Sequence, residues 1–380
     1  MKIVFFSNFL NHHQVLLCDE LYEATNKSFV FISLYEMPVS FKKSGYPDYS
    51  DRPYMLKAYD SEENMRKAHA YALSADVALF GEPQALPFEV ERAKAGMLSF
   101  EVGERWLKRG WINVFSPRLI KNQWYYHTLF YRKPVYRLCS SAYAAVDVRR
   151  LHSFKGRCYK WGYFTKVDES FDPDAPISDA SASESTHLMW CARFLKWKHP
   201  ELPVQLAYRL KKKGYNFLID MFGSGEEYEN TKGLMKALDV EQCVKLRGNL
   251  PNDEMLKEMR KHSIFLFTSD QNEGWGAVLN EAMSNGCAVV ASHAIGAAPF
   301  LIKDGTNGYV FESENIEQLY EKVVFLMEHP SERKRVAKEA YYTMKNIWSP
   351  RNAAHNFLKL IESLEKGEDA AIEEGPCSKA

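Results

Sequence analysis

An apolar run, KIVFF, then a polar loop, an apolar-periodic stretch over residues 15–22 and a second run, FVFISL, spell strand, helix, strand, the opening of a βαβ unit. ADVALFG adds a buried strand closed by glycine, and AKAGMLSFEVGERWLKRG a short strand with a helical patch. The first half therefore predicts a wound α/β sheet, interrupted at residues 42–53 by the loop chemistry of KKSGYPDYSDRP. After KVDESFDPDAPISDASASES, which is acidic and nearly empty of large apolar residues, the alternation restarts with THLMWCA and PVQLAYRLKKKG. It runs on through NFLIDMFGSG, TKGLMKALDV, VKLRG, SIFLFTS, GAVLNEAMSNG and CAVVAS to Val310, predicting a second parallel sheet. Two amphipathic helices follow, the last with Ser349 at its N-cap and Pro350 at its first position.

A length of 380 residues suits two domains. The pattern divides them as 1–165, a linker over 166–186, a second domain over 187–348, a crossover helix over 349–365 and a disordered tail over 366–380, where the composition turns to small and charged residues. No apolar stretch reaches about 18 residues, so no membrane-spanning helix is expected. MKIVFFSNF lacks the long apolar core of a signal peptide, which gives a cytoplasmic address, or a peripheral one on the inner face of the cell membrane. Seven cysteines, an odd count with no CxxC pair, fit reduced thiols better than disulfides or a zinc site. No metal and no cofactor are expected.

The net charge of zero conceals an uneven distribution. Between Arg105 and Lys160 stand thirteen basic residues and one acid, Asp147, interleaved with Trp106, Trp111, Phe115, Trp124, Tyr125, Tyr126, Phe130, Tyr131 and Tyr136. Cations beside amphipathic rings suit an anionic membrane surface or a lipid-linked acceptor. The competing reading is a solvated basic face with its aromatics turned inward. Nucleic acid is disfavoured, since no nucleic-acid module accompanies the charge.

The densest chemistry lies in TSDQNEGWGAVLNEAMSNGCAVVASHAIGAAPFLIKDGTNGYVF, residues 268–311. A polar loop after a strand delivers Glu273, Gly274, Trp275 and Gly276 to the start of a helix, where glycines admit a ligand to the backbone and free N–H groups attract anions. Glu281 follows eight positions after Glu273, inside that helix, so the two carboxylates would hold different parts of one ligand.

These motifs resemble the retaining nucleotide-sugar glycosyltransferases of GT-B fold that carry a Glu, seven residues, Glu motif, the group 1 or family 4 type. The resemblance covers nearly all of the second domain. It implies two Rossmann-like domains with parallel sheets facing a central cleft, and a C-terminal helix returning to the first domain. It assigns Glu273 to the donor-sugar hydroxyls, Glu281 to the nucleotide ribose, and the backbone of Gly274, Trp275, Gly276 and Ala277 to sugar and phosphate. In WCARFLKWKHPEL, Arg193 and Lys198 have the spacing of the family's diphosphate-gripping pair, with Ala192 in place of the usual glycine. Two fixed cations there would stabilise a departing diphosphate without a metal. Gly223 and Gly225 of FGSG resemble the family's donor-side turn, and Arg247 of LRGNL the segment lining the base pocket.

The first domain fits less closely: Asn11, His12 and His13 occupy the loop where many relatives carry glycines, as a candidate acceptor or phosphate loop. Glu82 stands near the end of a strand where relatives often show a histidine. The resemblance implies a retaining hexosyltransferase that uses a nucleoside-diphosphate sugar, a UDP-sugar in preference to GDP-mannose, in cell-surface polysaccharide or lipopolysaccharide assembly. Its rivals are a catalytically silent sugar-nucleotide or glycan-binding subunit and a nucleotide-sugar epimerase of the same fold. A phosphorylase lacks its Schiff-base lysine context here, and a dinucleotide oxidoreductase its GxGxxG after the first strand.

Overall fold

All five residues of β1 (Ile3–Ser7) are buried. An unbroken apolar run is what a central parallel strand needs, because helices cover both of its faces. The computed structural model describes residues 1–39, 47–108, 110–175 and 185–380. Residues 42–46 of the expected insertion, Arg109 of the basic stretch and residues 176–184 of the expected linker lie outside the described residues. Contacts divide the chain into two units, one of Met1–Thr165 with Trp348–Ala380, the other of Lys166–Ile347.

The first unit carries α1 (Val15–Ala24), β2 (Phe29–Ser33), β3 (Met55–Lys57), α2 (Glu62–Ser74), β4 (Val77–Phe80), α3 (Leu86–Ala95), β5 (Ser99–Gly103), α4 (Pro117–His127), β6 (Val135–Cys139), α5 (Ala142–Arg150) and β7 (Cys158–Lys160). Its strands form one sheet in the order β3-β2-β1-β4-β5-β6-β7, each neighbouring pair parallel. The winding direction reverses between β1 and β4. At such a switch point a crevice opens outside the carboxyl ends of the strands.

The second unit contains β8 (Thr186–Cys191), α6 (Glu201–Lys212), β9 (Phe217–Phe222), α7 (Tyr228–Ala237), β10 (Val244–Gly248), α8 (Asn252–Met259), β11 (Ile264–Phe267), α9 (Ala277–Ser284), β12 (Ala288–Ser292), α10 (Ala298–Leu301), β13 (Tyr309–Phe311), α11 (Ile316–Glu328) and α12 (Pro330–Tyr342). Its parallel sheet runs β10-β9-β8-β11-β12-β13, so its switch point lies between β8 and β11. Trp190, Leu206, Ile219, Leu266, Val290 and Val323 pack into one core. Both predicted parallel sheets are therefore present, one in each unit.

The last helix, α13 (Pro350–Glu365), packs on α1 within the first unit. Ser349 caps it, its hydroxyl accepting from the Asn352 N–H at 3.2 Å. Beyond it the expectation of a disordered tail is corrected. Lys160 N–H donates to the Ser378 carbonyl at 2.8 Å, Cys377 N–H to Lys160 at 2.8 Å and Ala380 N–H to Cys158 at 3.2 Å. Cys377 and Ser378 are buried. The tail thus pairs the otherwise open edge of β7, a demand for backbone partners that composition does not reveal.

Candidate functional site

At the switch point of the second unit, the loops after β8 and β11 are fastened to each other. The Thr268 hydroxyl accepts from the Trp190 indole N–H at 2.8 Å and donates to the Lys198 carbonyl at 2.6 Å, and Asp270 N–H donates to Trp197 at 3.0 Å. That lacing brings Lys198 to Glu273: their side chains form an ion pair, and both residues are more than nine-tenths buried. The Lys198 ammonium also sits 4.4 Å from the centre of the Trp197 ring, where the negative face of the indole favours a cation. Arg193, five residues earlier, is exposed, and its guanidinium makes no hydrogen bond or ion pair among the described residues. Sequence spacing paired these two cations; the structure holds one fixed against a carboxylate and leaves the other in solvent, open to an anion.

Gly276 caps α9 with φ at +91°, and a Cβ there would stand 2.8 Å from the Phe267 ring. Only glycine fits without displacing that ring, and it turns the chain so that α9 starts with its backbone N–H groups uncapped by any side chain. Gly274 and Ala277 flank this turn. Trp275 enters the resemblance through its backbone, and its indole has another task. Its side chain is 1% exposed and donates to the Asn280 carboxamide at 2.9 Å, so the indole is core and only its backbone remains for a ligand. Glu281 lies one turn into α9, buried, accepting from the Asn252 amide at 3.1 Å. Burial raises its carboxyl to about 7, against the opposing pull of the Asn252 amide. Such a group ionises readily only when a ligand supplies hydrogen-bond donors.

Gly223 and Gly225 have φ of +131° and +153°, and added Cβ atoms would stand 1.9 Å from the Ala192 carbonyl oxygen and 2.4 Å from that of Phe194. Their demonstrable task is to let the FGSG turn lie against the loop bearing Arg193, where Phe194 N–H donates to Ser224 at 2.9 Å. Arg247 is held by Asp220 at 2.6 Å. Although burial opposes it, hydrogen bonds from His262 and Arg247 keep the Asp220 carboxyl below its usual range.

In the first unit a cavity of about 790 Å³ opens at the β1–β4 switch point, reached by Ser7 at the end of β1, Asn8 after it, and Gly81 and Glu82 after β4. Arg137 crosses its floor, fully buried, ion-paired with Glu101, donating to the Glu104 carbonyl at 3.0 Å and lying 4.2 Å from the Trp106 ring centre. Nearby Glu89 is buried, and burial together with the Glu101 charge raises its carboxyl well above the ordinary range. Asn11 accepts from the His13 N–H at 3.0 Å, while the His13 ring stacks on Tyr163 with centroids 5.6 Å apart and meets the His12 ring at 3.8 Å. Burial, with the adjacent His12, pushes His13 down to about 3, and burial lowers His12 too. Neutral imidazoles bring a phosphate no charge, so this loop suits hydroxyl groups better than anions.

Residues 177–343 match the model of the family described as glycosyl transferases group 1. This segment is similar to the group 1 glycosyltransferases. Over 146 residues the chain is 36% identical to a poly(glycerol-phosphate) alpha-glucosyltransferase of Bacillus subtilis, a stretch that is 38% of this chain and 21% of that protein. The chain spans no more than half the length of the curated relatives it matches. As a fold, 96% of it superposes on all of HepE of Anabaena, crystallised with UDP, with a TM-score of 0.70 at 15% identity. It likewise superposes on all of the lipopolysaccharide outer core galactosyltransferase WaaB in its apo form, over 96% of this chain, with a TM-score of 0.69 at 16% identity. Both neighbours are GT-B glycosyltransferases, and the two-sheet architecture is that fold.

The matched family segment holds Arg193, Lys198, Glu273 and Glu281. The cavity residues Glu89, Glu101 and Arg137 lie outside it and carry no sequence signal of their own. The nearest available hint was the position of Arg137 inside an apolar strand-length run, VYRLC, where an unpaired cation could not stay.

Proposed function

We propose that this chain is a retaining hexosyltransferase moving a sugar from a nucleoside diphosphate, a UDP-sugar in preference to GDP-mannose, to a glycan or lipid-linked acceptor, without a metal. The observation that carries the reading is the buried Lys198–Glu273 pair at the β8–β11 switch point, with Arg193 unpaired beside it in sequence. As the glycosidic bond to the diphosphate breaks, negative charge gathers on the bridging oxygen. Lys198 and Arg193 stabilise that charge, and each such donor contributes about 2.7–4 kcal/mol to the transition state. Glu273, oriented by Lys198, accepts from donor-sugar hydroxyls. Glu281 accepts from the ribose, and the uncapped N–H groups at the start of α9 face the phosphates.

Among these groups no carboxylate is offered as a covalent nucleophile. Retention then follows from same-face transfer, in which the leaving phosphate oxygen takes the acceptor proton. The UDP in the HepE structure and the alpha-glucosyl name of the Bacillus relative support the donor and the anomeric outcome. Polysaccharide or lipopolysaccharide assembly is the setting that the relatives' names favour. Calorimetric titration with UDP-, GDP- and ADP-sugars in chelator-containing buffer tests the donor site, and proton NMR of the product tests the anomer. Tight binding of one class with retained configuration is expected. Binding of none of them, or activity only after a divalent ion is restored, refutes the reading.

A further inference from the structure

The basic aromatic stretch divides in the folded chain. Arg105 pairs with Asp147 at 3.3 Å, Arg137 with Glu101, and Arg157 donates to the carbonyls of Phe130, Tyr131, Lys133 and Val135. Trp106, Tyr126 and Phe130 pack into a core cluster. These cations and rings are structural. What remains lies on α4 and on the short turns at 110–115 and 130–132 that contact it: Trp111, Ile112, Phe115, Ile120, Trp124 and Tyr131 are all exposed, Phe115 to 79% and Ile112 to 77%. They are six of the eleven exposed large hydrophobic residues among those described. Between Gly110 and Lys133 the chain has no acid, and Arg118, Lys121 and Arg132 are exposed beside them.

Helix α4 shows the division on one element. Leu119, Asn122 and Tyr126 recur at helical spacing and line the cavity of the first unit. Ile120, Lys121 and Trp124 recur on the opposite face and point to solvent. Exposed large apolar side chains gathered on one helix and its flanking turns mark a docking surface, and the cationic, acid-free border selects an anionic partner. We propose that α4 and the turn before it dock this chain on an anionic lipid bilayer, seating the aromatic side chains at headgroup depth while the opposite face of α4 walls the cavity. The docking stands apart from the transferase reading and rests on nothing in the second unit.

Flotation with vesicles of equimolar phosphatidylcholine and phosphatidylglycerol, against vesicles of phosphatidylcholine alone, tests the proposal. The wild-type chain is expected to float with the anionic vesicles and to be released by salt. A triple variant, W111S/F115S/W124S, should partition about tenfold more weakly or worse. A charge variant, K121E/R132E, should lose the preference for anionic vesicles. Both replace only exposed side chains, so far-UV circular dichroism and the thermal midpoint should match the wild type. Equal flotation on both vesicle types, equal flotation of the triple variant, or a failure of the wild type to float overturns the proposal. So does a wild-type dimer that the triple variant dissolves while neither protein floats, since the patch would then serve a second copy.

Discussion

Glu281 should make nucleotide binding depend on pH. Its carboxyl titrates near 7 because it is buried with one amide donor, whereas in the unfolded chain it titrates near 4.5. The sign follows from that rise. Below about pH 4.5 the group is protonated in both states and costs nothing; as pH rises through 7 the folded chain carries a charge it solvates poorly, and about 3 kcal/mol of stability is lost. A nucleotide whose ribose hydroxyls donate to the carboxylate reverses this. If binding returns the group to its ordinary range, the ligand binds only the ionised form, which is about a tenth of the free protein near pH 6 and about nine-tenths near pH 8. The affinity should therefore rise about tenfold between those values and level off above them. Near pH 7 about half a proton should be released per nucleotide bound.

Calorimetry with a UDP-sugar, whose phosphates do not titrate in this range, in two buffers of different ionisation enthalpy measures both quantities. Cys191, next to Glu281, stays out of the way because burial and that carboxylate push its thiol to about 12. The control is Glu281→Gln, which should bind with a flat pH profile and release no proton. A flat profile in the wild type, or the same slope in Glu281→Gln, would refute the assignment of the ribose to this carboxylate.

Lys198→Ala should lower turnover by a factor of about a hundred to a thousand, the effect of a lost anion-stabilising donor. It should also depress the melting temperature, since Glu273 is left buried and unpaired. Adding Glu273→Gln should restore the melting temperature and not the turnover, which separates the two effects in one steady-state and thermal series. Gly223→Ala, with its Cβ driven 1.9 Å from a carbonyl oxygen, should cost more than about 2 kcal/mol in urea unfolding and raise KM for the donor by displacing the Arg193 loop. Gly305→Ala, left-handed but in open space, should cost only about 1 kcal/mol. In the first unit, Glu89→Gln should change stability by less than about 1 kcal/mol near pH 7, because burial and the Glu101 charge already favour the uncharged form of the carboxyl. Arg137→Met should cost about 3–5 kcal/mol by stranding Glu101, and an equal effect of the two substitutions would refute this contrast.

These residues also show what the sequence can carry. Strands such as IFLF and FVFIS declare themselves because burial on both faces demands a continuous apolar run. The glutamate helix declares itself because a left-handed glycine and an anion-ready helix start demand a fixed local order of residues. Both are local demands. Arg137, Glu101 and Glu89 come from three elements spread over 49 positions, and they are compatible only because β5 and β6 pair in register, Glu101 opposite Arg137. No local pattern encodes that meeting. The C-terminal tail is the same case, since residues 375–380 look unstructured until β7 offers an unpaired edge some 220 positions upstream. Trp275 adds the converse. It stands in the most informative motif of the chain, yet the motif needs only its backbone, while the indole answers to Asn280 in the core. A motif therefore reports where backbone meets ligand more faithfully than which side chains do. In this chain the side chains that need testing are the ones whose burial and charge conflict, Lys198, Glu273 and Glu281.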